Sequence, residues 1–561
     1  LRITLGSGKT TTAINNAIKH ARSKKIDILV KSHSMAEQYV DDFKKIKDDE
    51  WVRQNVIYKR GRYDGNCQKF SEIDSVGFKT GEYCKKCPLN IDCEYVHQFD
   101  NNNGIHIYTH NSLYNRIGVW DKRKPDLAII DEDVIAVLLD DGVKSAVPEL
   151  GSDWLKGKTL KQAVLDNQDK ILMLANDHKL DKSAKPSYPI TRLARLIKRL
   201  QKNPDDTEWI GYEHLDDNKI YFARKHKINK KYASIPKLFM DGTANEWLVK
   251  NVLGESIVYE EINVEKNPNV IVEQHTYYPF SRSQLNSWTI NGVVIQLEKF
   301  IDEYKNIGLI TYQAHTIHNY FLEDVATGMG ANVTGYFGNV RGNNDFIDCD
   351  LLMVLGRHHT GNGCQRLYRN LHYNNFNQID HQLDQTYVAN DVWDINGITY
   401  ENSVYKYVND ELQQLSHFMN DCESEQAIHR IRMIHGDKPK KVMIFNNIVL
   451  PALQVDRLVT DLNAYYLQDY IHDNDFVVNK NKYLADVIGI DSKKVANLRS
   501  QSELIENIIT DSELVTNVIP IKRNGRRASL SVIQRKDYQL TEDDINQFTT
   551  STRRVKFDTA A

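Results

Sequence analysis

The chain has 561 residues, of which 41% are hydrophobic and 26% are charged, and its formal net charge is −3. This length predicts three or four domains, and the near-neutral charge excludes a globally basic nucleic-acid coat. The sequence contains no run of about 18 apolar residues, so we expect no membrane span, no membrane partner and a cytoplasmic location.

The first predicted element is a short strand that leads into a glycine-rich loop and a helix. Glycines in such a loop let backbone N–H groups approach phosphate oxygens, while Lys9 reaches the β and γ phosphates and Thr10 holds Mg²⁺. Ile3 stands where the full P-loop pattern has Gly or Ala. We predict that ATP and Mg²⁺ are cofactors and that ATP is bound by Gly6, Ser7, Gly8, Lys9, Thr10 and Thr11.

Four of the seven cysteines lie close together in the next part of the chain. They are Cys67, Cys84, Cys87 and Cys93, separated by 16, 2 and 5 residues. A tight group of four in a cytoplasmic chain favours a metal site over a disulfide framework. Four thiolates fit either tetrahedral Zn²⁺ or an iron–sulfur cluster, and the spacing alone does not separate the two.

A second nucleotide-binding element follows the cysteine group. The apolar run Leu127-Ala-Ile-Ile130 predicts a strand that ends in Asp131 and Glu132. Asp131 is predicted to hold Mg²⁺ together with Thr10, and Glu132 to orient or deprotonate the attacking water. Together with the phosphate loop, this acidic pair predicts an ATPase.

Residues 134–225 have a largely helical pattern. Leu193, Leu196, Ile197 and Leu200 recur at helical spacing and predict a buried face. The basic residues lie mostly on the other face, which predicts either phosphate contact or a solvated surface. Those residues are Arg192, Arg195, Lys198, Arg199 and Lys202.

A second alternation of strands and helices begins near residue 270. Short apolar runs at residues 307–311, 351–355 and 442–445 predict a parallel sheet that is covered on both faces. Gln426 and Arg430 are four residues apart and share a helical face. Arg430 and Arg432 are candidate arginine fingers, because a guanidinium fork stabilises charge on a transferring phosphoryl group.

The last hundred residues predict a separate C-terminal domain. Around residues 478–535 the pattern is helix, turn, a second helix capped by Ser492, and then a basic hairpin with the turn Asn524-Gly525. This order predicts a winged-helix-like domain that contacts duplex DNA, with an ordinary small packing module as the alternative.

The order of these motifs resembles the XPD/DinG helicases of superfamily 2. The resemblance rests on Lys59-Arg-Gly-Arg62 before the four cysteines, on the strand ending Tyr108-Thr-His-Asn-Ser-Leu113, and on Asp131-Glu132. Ile28–His33 resembles the family motif that touches the DNA backbone, and Leu238–Ala244 resembles its coupling motif. Gly338–Phe346 agrees best with viral or mobile-element relatives, in which case the location is the host cytoplasm or nucleoid.

The resemblance implies a [4Fe–4S] cluster on Cys67, Cys84, Cys87 and Cys93, an arch-like insertion and 5′→3′ movement. Two features depart from it. The acidic motif continues Asp133-Val134 where the family commonly has Ala-His, and the spacing of five residues before Cys93 is short and keeps Zn²⁺ as the alternative. The aromatic, Asn-rich stretch 357–412 has hairpin-like segments, and we assign no motif or role to it.

We therefore predict an α/β chain with two tandem RecA-like parallel-sheet motor domains. Motor domain 1 covers residues 1–250, with a metal insertion at 58–98 and the arch-like insertion at 134–225; motor domain 2 covers 251–460 and the C-terminal domain 461–561. The predicted function is an ATP-dependent DNA helicase or translocase in replication, recombination or repair, with single-stranded and duplex DNA as partners beside replication or repair proteins. The alternative is an ATP-switched DNA-binding initiator without processive unwinding.

Overall fold

The structure is a computed structural model. It describes residues 1–70, 84–89, 92–114, 121–132, 143–146, 150–151, 153–154, 158, 160–180, 188–202, 204, 211–216, 219–223, 228–254, 256–278, 280–282, 303–312, 330–338, 340, 345–360, 365, 385–395, 398–448, 450, 453–488, 491–501, 504–509, 511, 513–523, 526–548 and 556–557. Several predicted features lie outside these residues, namely Asp133-Val134, residues 339 and 341–344 of the Gly338–Phe346 motif, and the Asn524-Gly525 turn.

The strands are numbered in chain order. They are β1 (Arg2–Ile3), β2 (Ile26–Val30), β3 (Val56–Tyr58), β4 (Ile105–Thr109), β5 (Leu127–Asp131), β6 (Val143–Ala146), β7 (Gly211–Asp216), β8 (Lys219–Ala223), β9 (Lys237–Met240), β10 (Glu261–Ile262), β11 (Val270–His275), β12 (Ile307–Thr311), β13 (Val333–Tyr336), β14 (Leu351–Leu355), β15 (Thr386–Ile395), β16 (Ile398–Tyr407), β17 (Lys440–Phe445), β18 (Arg457–Val459), β19 (Phe476–Val478), β20 (Leu514–Arg523), β21 (Arg526–Arg535) and β22 (Lys556–Phe557).

The helices are numbered in the same way. They are α1 (Lys9–His20), α2 (His33–Ile46), α3 (Asp49–Asn55), α4 (Glu94–His97), α5 (Leu160–Asp166), α6 (Gln168–Leu180), α7 (Tyr188–Lys202), α8 (Lys230–Ala233), α9 (Glu246–Leu253), α10 (Asp410–Ser416), α11 (Cys422–Ile428), α12 (Leu462–Asn474), α13 (Asn481–Ile488), α14 (Ser492–Gln501), α15 (Leu504–Ile509) and α16 (Glu542–Phe548). Short 3₁₀ turns lie at His110–Leu113 and His429–Ile431, and His417–Asp421 is one π-helical turn.

The first sheet is parallel and has the order β3-β4-β2-β5-β9. β1 extends it, because Arg2 bridges to Asp241 just after β9 and β1 pairs in parallel with β10. The strand residues alternate between two apolar layers. Ile28 and Val30 face α1 and α2, whereas Leu29 faces α8. A parallel sheet covered on both faces explains why these strands are apolar throughout.

The second sheet is also parallel and has the order β13-β12-β14-β17-β11-β18. Leu352, Val442 and Ile444 pack on one face against α11, and Met353 and Phe445 pack in a separate layer on the other. The predicted strands at 307–311, 351–355 and 442–445 are confirmed as β12, β14 and most of β17. Two tandem parallel α/β sheets, as predicted from the sequence, are therefore the framework of the chain.

The stretch between β5 and β9 has a hydrophobic core of its own. Helices α5, α6 and α7 pack around Ile171, Leu193, Ile197 and Leu200, together with the buried Trp154. The same stretch also forms an antiparallel sheet of order β6-β8-β7. The helical pattern is thus confirmed, but the small sheet was not predicted.

The residues after β18 form an antiparallel sheet of order β19-β21-β20-β22 packed on helices. Leu484 and Ile488 of α13 and Val495 of α14 belong to one core with the sheet residue Ile533. The predicted cap of α14 is wrong by one residue, since the Asp491 carboxylate accepts the Lys493 N–H at 2.7 Å. Among the described residues, every helix is too short or too polar to traverse a bilayer.

Candidate nucleotide site between the two sheets

The phosphate loop lies at the carboxyl end of β1, beside the carboxyl ends of β9 and β5. Gly6 and Gly8 have φ of 82° and 86°, a left-handed conformation that glycine adopts without a steric penalty. Gly8 directly precedes α1, so the loop opens onto the N-terminus of a 12-residue helix. Backbone N–H groups and the positive end of the helix dipole make this a phosphate-binding geometry.

The loop and the acidic strand are joined through Asp131. Its Oδ2 accepts hydrogen bonds from the Thr10 hydroxyl at 3.2 Å and from the Tyr39 hydroxyl at 2.5 Å. His110 Nε2 donates to the Asp131 carbonyl oxygen at 2.8 Å. Asp131 is only 2% exposed, and burial, reinforced by Glu132, raises its pKa to about 6. A nearby cation stabilises the ionised form of such a buried carboxyl group.

Lys9 and Glu132 flank this centre. Lys9 Nζ donates to the Ile3 carbonyl oxygen at 3.4 Å. The departure from the P-loop pattern at Ile3 therefore concerns its side chain, while its backbone oxygen contacts the lysine. Burial lowers the pKa of Lys9, and the carboxylate of Asp131 opposes that shift. Glu132 has φ of 64°, and its N–H is bonded to the Met240 carbonyl oxygen at 2.9 Å.

The second sheet supplies the opposite wall of the same pocket. α11 and the 3₁₀ turn that follows it carry Gln426, His429, Arg430 and Arg432 to the pocket that Lys9 and the acidic pair line. A Cβ built on Gly6 would lie 4.0 Å from Arg432 Cδ, so Arg432 covers the phosphate loop. Burial, with the charges of Lys9 and Arg430, lowers the pKa of His429 to about 4. His429 is therefore neutral at physiological pH.

The loop after β9 connects the two walls. Gln426 Nε2 donates to the Thr243 hydroxyl at 2.9 Å, and that hydroxyl donates to Asp241 Oδ1 at 2.9 Å. Gly242 lies against the phosphate loop, because a Cβ there would fall 2.4 Å from Leu5 Cδ2. The absence of a side chain at Gly242 in the Leu238–Ala244 motif thus permits this close approach.

Several buried oxygen atoms at the phosphate loop and this pocket have no hydrogen-bond partner among the described residues, including Ser7 Oγ, Asp131 Oδ1, Glu132 Oε2 and Gln426 Oε1. Burying a polar atom without a partner costs about 1–3 kcal/mol. Their convergence, beside a lysine and two arginines, fits a polyphosphate with its magnesium ion. All the predicted nucleotide-site residues except Ser7 line this one pocket, and Ser7 lies in the same loop between Gly6 and Gly8. Thr10 and Asp131 are the oxygen donors suited to Mg²⁺.

The cysteine group lies beside the first sheet. Cys67 and Cys84 are buried in one cluster, and Arg62 Nη1 donates to Cys84 Sγ at 2.7 Å. Burial raises the pKa of Cys67, and Cys93 and Cys84 are close enough to add to that shift. Cys93 precedes α4, and the Cys87 N–H is bonded to the Cys84 carbonyl oxygen at 3.3 Å. Among the described residues, no three His, Cys, Asp or Glu side chains are arranged to hold a metal ion.

Comparison with known proteins gives a family match at the N-terminal end of the chain. The family model described as "Type III restriction enzyme, res subunit" matches residues 1–133, which run from the phosphate loop to the acidic pair. A search among curated proteins finds no match.

Solved structures with a similar arrangement share little sequence with the chain. An apo XPD structure is 10% identical and covers 80% of this chain and 93% of its own, with a TM-score of 0.42. Xpd4 from S. tokodaii is 12% identical over 86% and 98%, with a TM-score of 0.29. The DUF1998 helicase MrfA bound to DNA is 8% identical over 95% and 60%, with a TM-score of 0.29. All three TM-scores are below 0.5, so these structures carry no argument about the family or the function of the chain.

The nucleotide pocket is lined by the phosphate loop and the acidic pair, which lie within the matched residues 1–133. It is completed by residues from the helix and turn that pack on the second sheet. The chain therefore carries a P-loop nucleotide site between two parallel α/β sheets. None of the matches supports the predicted viral relationship.

The nucleotide site also involves residues that the sequence did not single out. Tyr39 holds Asp131, His110 touches its carbonyl oxygen, and His429 lines the pocket beside Arg430. His110 belongs to the predicted strand-end motif and His429 lies between Gln426 and Arg430 in the sequence, but neither was predicted to take part in the site. Tyr39 carried no signal, because its contact depends on how α2 packs against the sheet.

Proposed function

We propose that this chain has the core of a superfamily 2 helicase and uses ATP hydrolysis to move along DNA and to separate its strands. The observation that carries the proposal is the contact between Thr243 of the first sheet and Gln426 of the second, next to the phosphate loop. Occupation of the pocket by the γ-phosphate changes the forces across this contact. The two sheets then approach or separate with each cycle.

Each pocket residue has a proposed role that follows from its position. Lys9 neutralises the β and γ phosphates, Thr10 and Asp131 hold Mg²⁺, and Glu132 orients the attacking water. Arg430 and Arg432 stabilise the charge that develops on the transferred phosphoryl group. Gln426 links the γ-phosphate to Thr243. These roles agree with the buried, partnerless oxygens of Asp131 and Glu132.

The proposed direction of movement is 5′→3′, and it is inferred from the resemblance to XPD/DinG helicases. DNA is the proposed substrate on the same ground. The test of direction is a pair of duplexes that differ only in carrying a 5′ or a 3′ single-stranded tail. Unwinding of the 3′-tailed duplex alone would overturn the direction without affecting the motor itself.

The four cysteines are proposed to hold a [4Fe–4S] cluster, with Zn²⁺ as the alternative. The burial of Cys67 and Cys84 together and the guanidinium of Arg62 on Cys84 fit thiolate ligands, because a nearby cation favours the ionised thiol. The cluster would supply a rigid cross-link for the segment beside the first sheet. Protein purified without oxygen should contain about four irons per chain, and one zinc with no iron would contradict the cluster.

The C-terminal domain is proposed to contact duplex DNA. α14 exposes Ser492, Lys493 and Lys494 in its first turn, directly before the buried Val495. β20 and β21 pair over their full length and carry Lys522 and Arg527 near the turn. A helix whose exposed end is basic, followed by a basic hairpin, is the arrangement of winged-helix domains on duplex DNA.

The direct test of the motor is steady-state ATP turnover with and without single-stranded DNA. We expect DNA to raise kcat and Glu132→Gln to abolish turnover while ATP still binds. ATP binding with stoichiometric but not repeated hydrolysis, at all DNA concentrations, would instead favour an ATP-switched initiator.

A further inference from the structure

The hairpin formed by β15 and β16 encloses a groove with both motor sheets. From the first sheet's side come Asn245 and Trp247. From the second come Arg357 and His359 after β14, and His417 and Asp421 from the π-helical turn. The hairpin contributes Val392, Tyr405, Lys406 and Tyr407. The groove is distinct from the nucleotide pocket, with which it shares no lining residue.

The base of the hairpin is fixed to the second sheet's helices. The Tyr407 N–H donates to Gln413 Oε1 at 2.8 Å, and Val404 is buried. Lys406 forms an ion pair with Asp391 across the two strands. Tyr405 in contrast is 77% exposed, although it lines the groove. A rigid ribbon therefore presents an exposed aromatic ring at the groove.

The lining chemistry matches one strand of nucleic acid. Trp247 and Tyr405 offer aromatic faces, and every base has a π-face that can stack on such rings. The Arg357 guanidinium lines the same groove and suits a phosphate group. The carboxylates of Asp391 and Asp421 are paired with Lys406 and His417. A stacking surface beside a cation is typical of single-strand channels.

The walls of the groove continue the segments that meet at the ATP pocket. Asn245 caps α9 by accepting the Leu248 N–H at 3.2 Å, and it stands two residues after Thr243. The π-helical turn His417–Asp421 leads directly into α11, which carries Gln426. Cys422 Sγ donates to the Thr243 carbonyl oxygen at 3.6 Å, a second contact between the walls. A change in the Thr243–Gln426 contact must therefore move the two walls relative to each other.

We propose that this groove binds a single strand of nucleic acid, that Tyr405 stacks on one of its bases, and that ATP changes the groove through the Thr243–Gln426 contact. The inference rests on the proposed motor function and deepens it. The hairpin is thus a strand-gripping element, which gives the otherwise unassigned segment around residues 386–407 a role.

The test compares Tyr405→Ala with Tyr387→Ala in the full chain. Both tyrosines are on the same hairpin and both are exposed, at 77% and 51%, but Tyr387 does not line the groove. The probe is a fluorescent oligothymidylate that forms no duplex. We expect Tyr405→Ala to raise its Kd about tenfold, as for the loss of one stacked base. Tyr387→Ala should stay within about twofold and retain wild-type ATP turnover.

A second readout addresses the link to ATP. In the wild type, a non-hydrolysable ATP analogue should change the Kd of the oligothymidylate, and Tyr405→Ala should reduce that change. Equal Kd values for Tyr405→Ala and the wild type, or an equal loss in Tyr387→Ala, would overturn the groove proposal while leaving the motor intact. A wild-type chain that binds no single-stranded DNA and shows no DNA-stimulated turnover would overturn both.

Discussion

Asp131 is the residue on which the chemistry of the pocket depends. Its carboxylate is held by two hydroxyl groups and is otherwise removed from water. Without a cation, burial makes ionisation costly and raises the pKa to about 6. Since this pKa in the folded protein lies above the ordinary aspartate value of 3.8, protonation of Asp131 stabilises the free protein as pH falls through 6. Mg²⁺, in contrast, binds the ionised form of Asp131.

Affinity for Mg²⁺–ATP should therefore fall as pH drops below about 6, up to tenfold per unit. The reason is that the metal binds ionised Asp131 and must displace its proton. Calorimetric titration at pH 5.5 in two buffers of different ionisation enthalpy measures the released proton. Asp131→Asn removes that release, and an unchanged proton release in this variant would assign the titration to another group.

Thr243 is the second residue with a decisive position, because its hydroxyl joins Gln426 to Asp241. Thr243→Val keeps the volume and removes both hydrogen bonds, leaving the buried Gln426 amide without its partner at a cost of about 1–3 kcal/mol. We expect DNA-stimulated kcat to fall about tenfold or more with ATP affinity little changed. Thr243→Ser, which retains the hydroxyl, is the matched control; equal kcat for the Val and Ser variants would contradict the role of the contact.

The loop that follows β9 shows how an element's packing shapes the site. Gly242→Ala places a methyl group 2.4 Å from Leu5 Cδ2 and 3.0 Å from Lys9 Nζ. The phosphate loop must shift, and a misplacement of this size lowers kcat/KM for ATP by about 10- to 100-fold. The control is Gly61→Ala, where a Cβ meets no atom within 4 Å among the described residues. Equal kcat/KM for both variants would mean that the phosphate loop accommodates the methyl group without any effect on catalysis.

Helix α7 illustrates what periodicity can and cannot predict. The burial of Leu193, Leu196, Ile197 and Leu200 is confirmed, because a spacing of three and four residues fixes one helical face. The partner surface was not predictable, since it comes from α5 and α6 and from Leu150 and Trp154, which precede these helices in the chain. The strands β6, β7 and β8 were missed because they are short and pair only with one another.

The core around α7 should unfold independently of the ATP site, because it has its own set of buried side chains. Ile197→Ala removes a fully buried side chain and should cost about 2–5 kcal/mol. Hydrogen exchange should accelerate across α5, α6 and α7, while the amides of β2 and β5 keep wild-type protection. Accelerated exchange in the first sheet as well would mean that the two cores unfold together.

Across the whole molecule, the sequence predicted the two parallel sheets because short apolar runs leave few alternatives to a buried parallel sheet. The meeting of the two sheets at one pocket was inferable only from the resemblance. The contact between Thr243 and Gln426 joins residues 183 positions apart and depends on how the sheets dock. The groove beside the hairpin was unpredictable for the same reason.

The C-terminal domain offers a test of how DNA contacts are divided over the chain. Lys493→Glu or Lys494→Glu should weaken binding of a blunt duplex about tenfold at moderate salt and reduce the salt dependence by about one ion. Lys536→Glu makes the same charge change at the far end of β21 and should have little effect. Single-stranded DNA should still stimulate ATP turnover in all three variants. An equal loss of duplex affinity in Lys536→Glu would mean that the change in net charge alone, and not a contact of α14 with DNA, explains the effect.

The most direct test of the central claim, that this chain is an ATP-driven strand-separating motor, is a strand-displacement time course on a tailed DNA duplex. We predict that the wild type releases the labelled strand only when Mg²⁺ and ATP are present. Glu132→Gln, which retains Asp131 and the phosphate loop, should release none. ATP turnover that DNA stimulates without any displacement, on 5′- and 3′-tailed duplexes alike, would contradict the account.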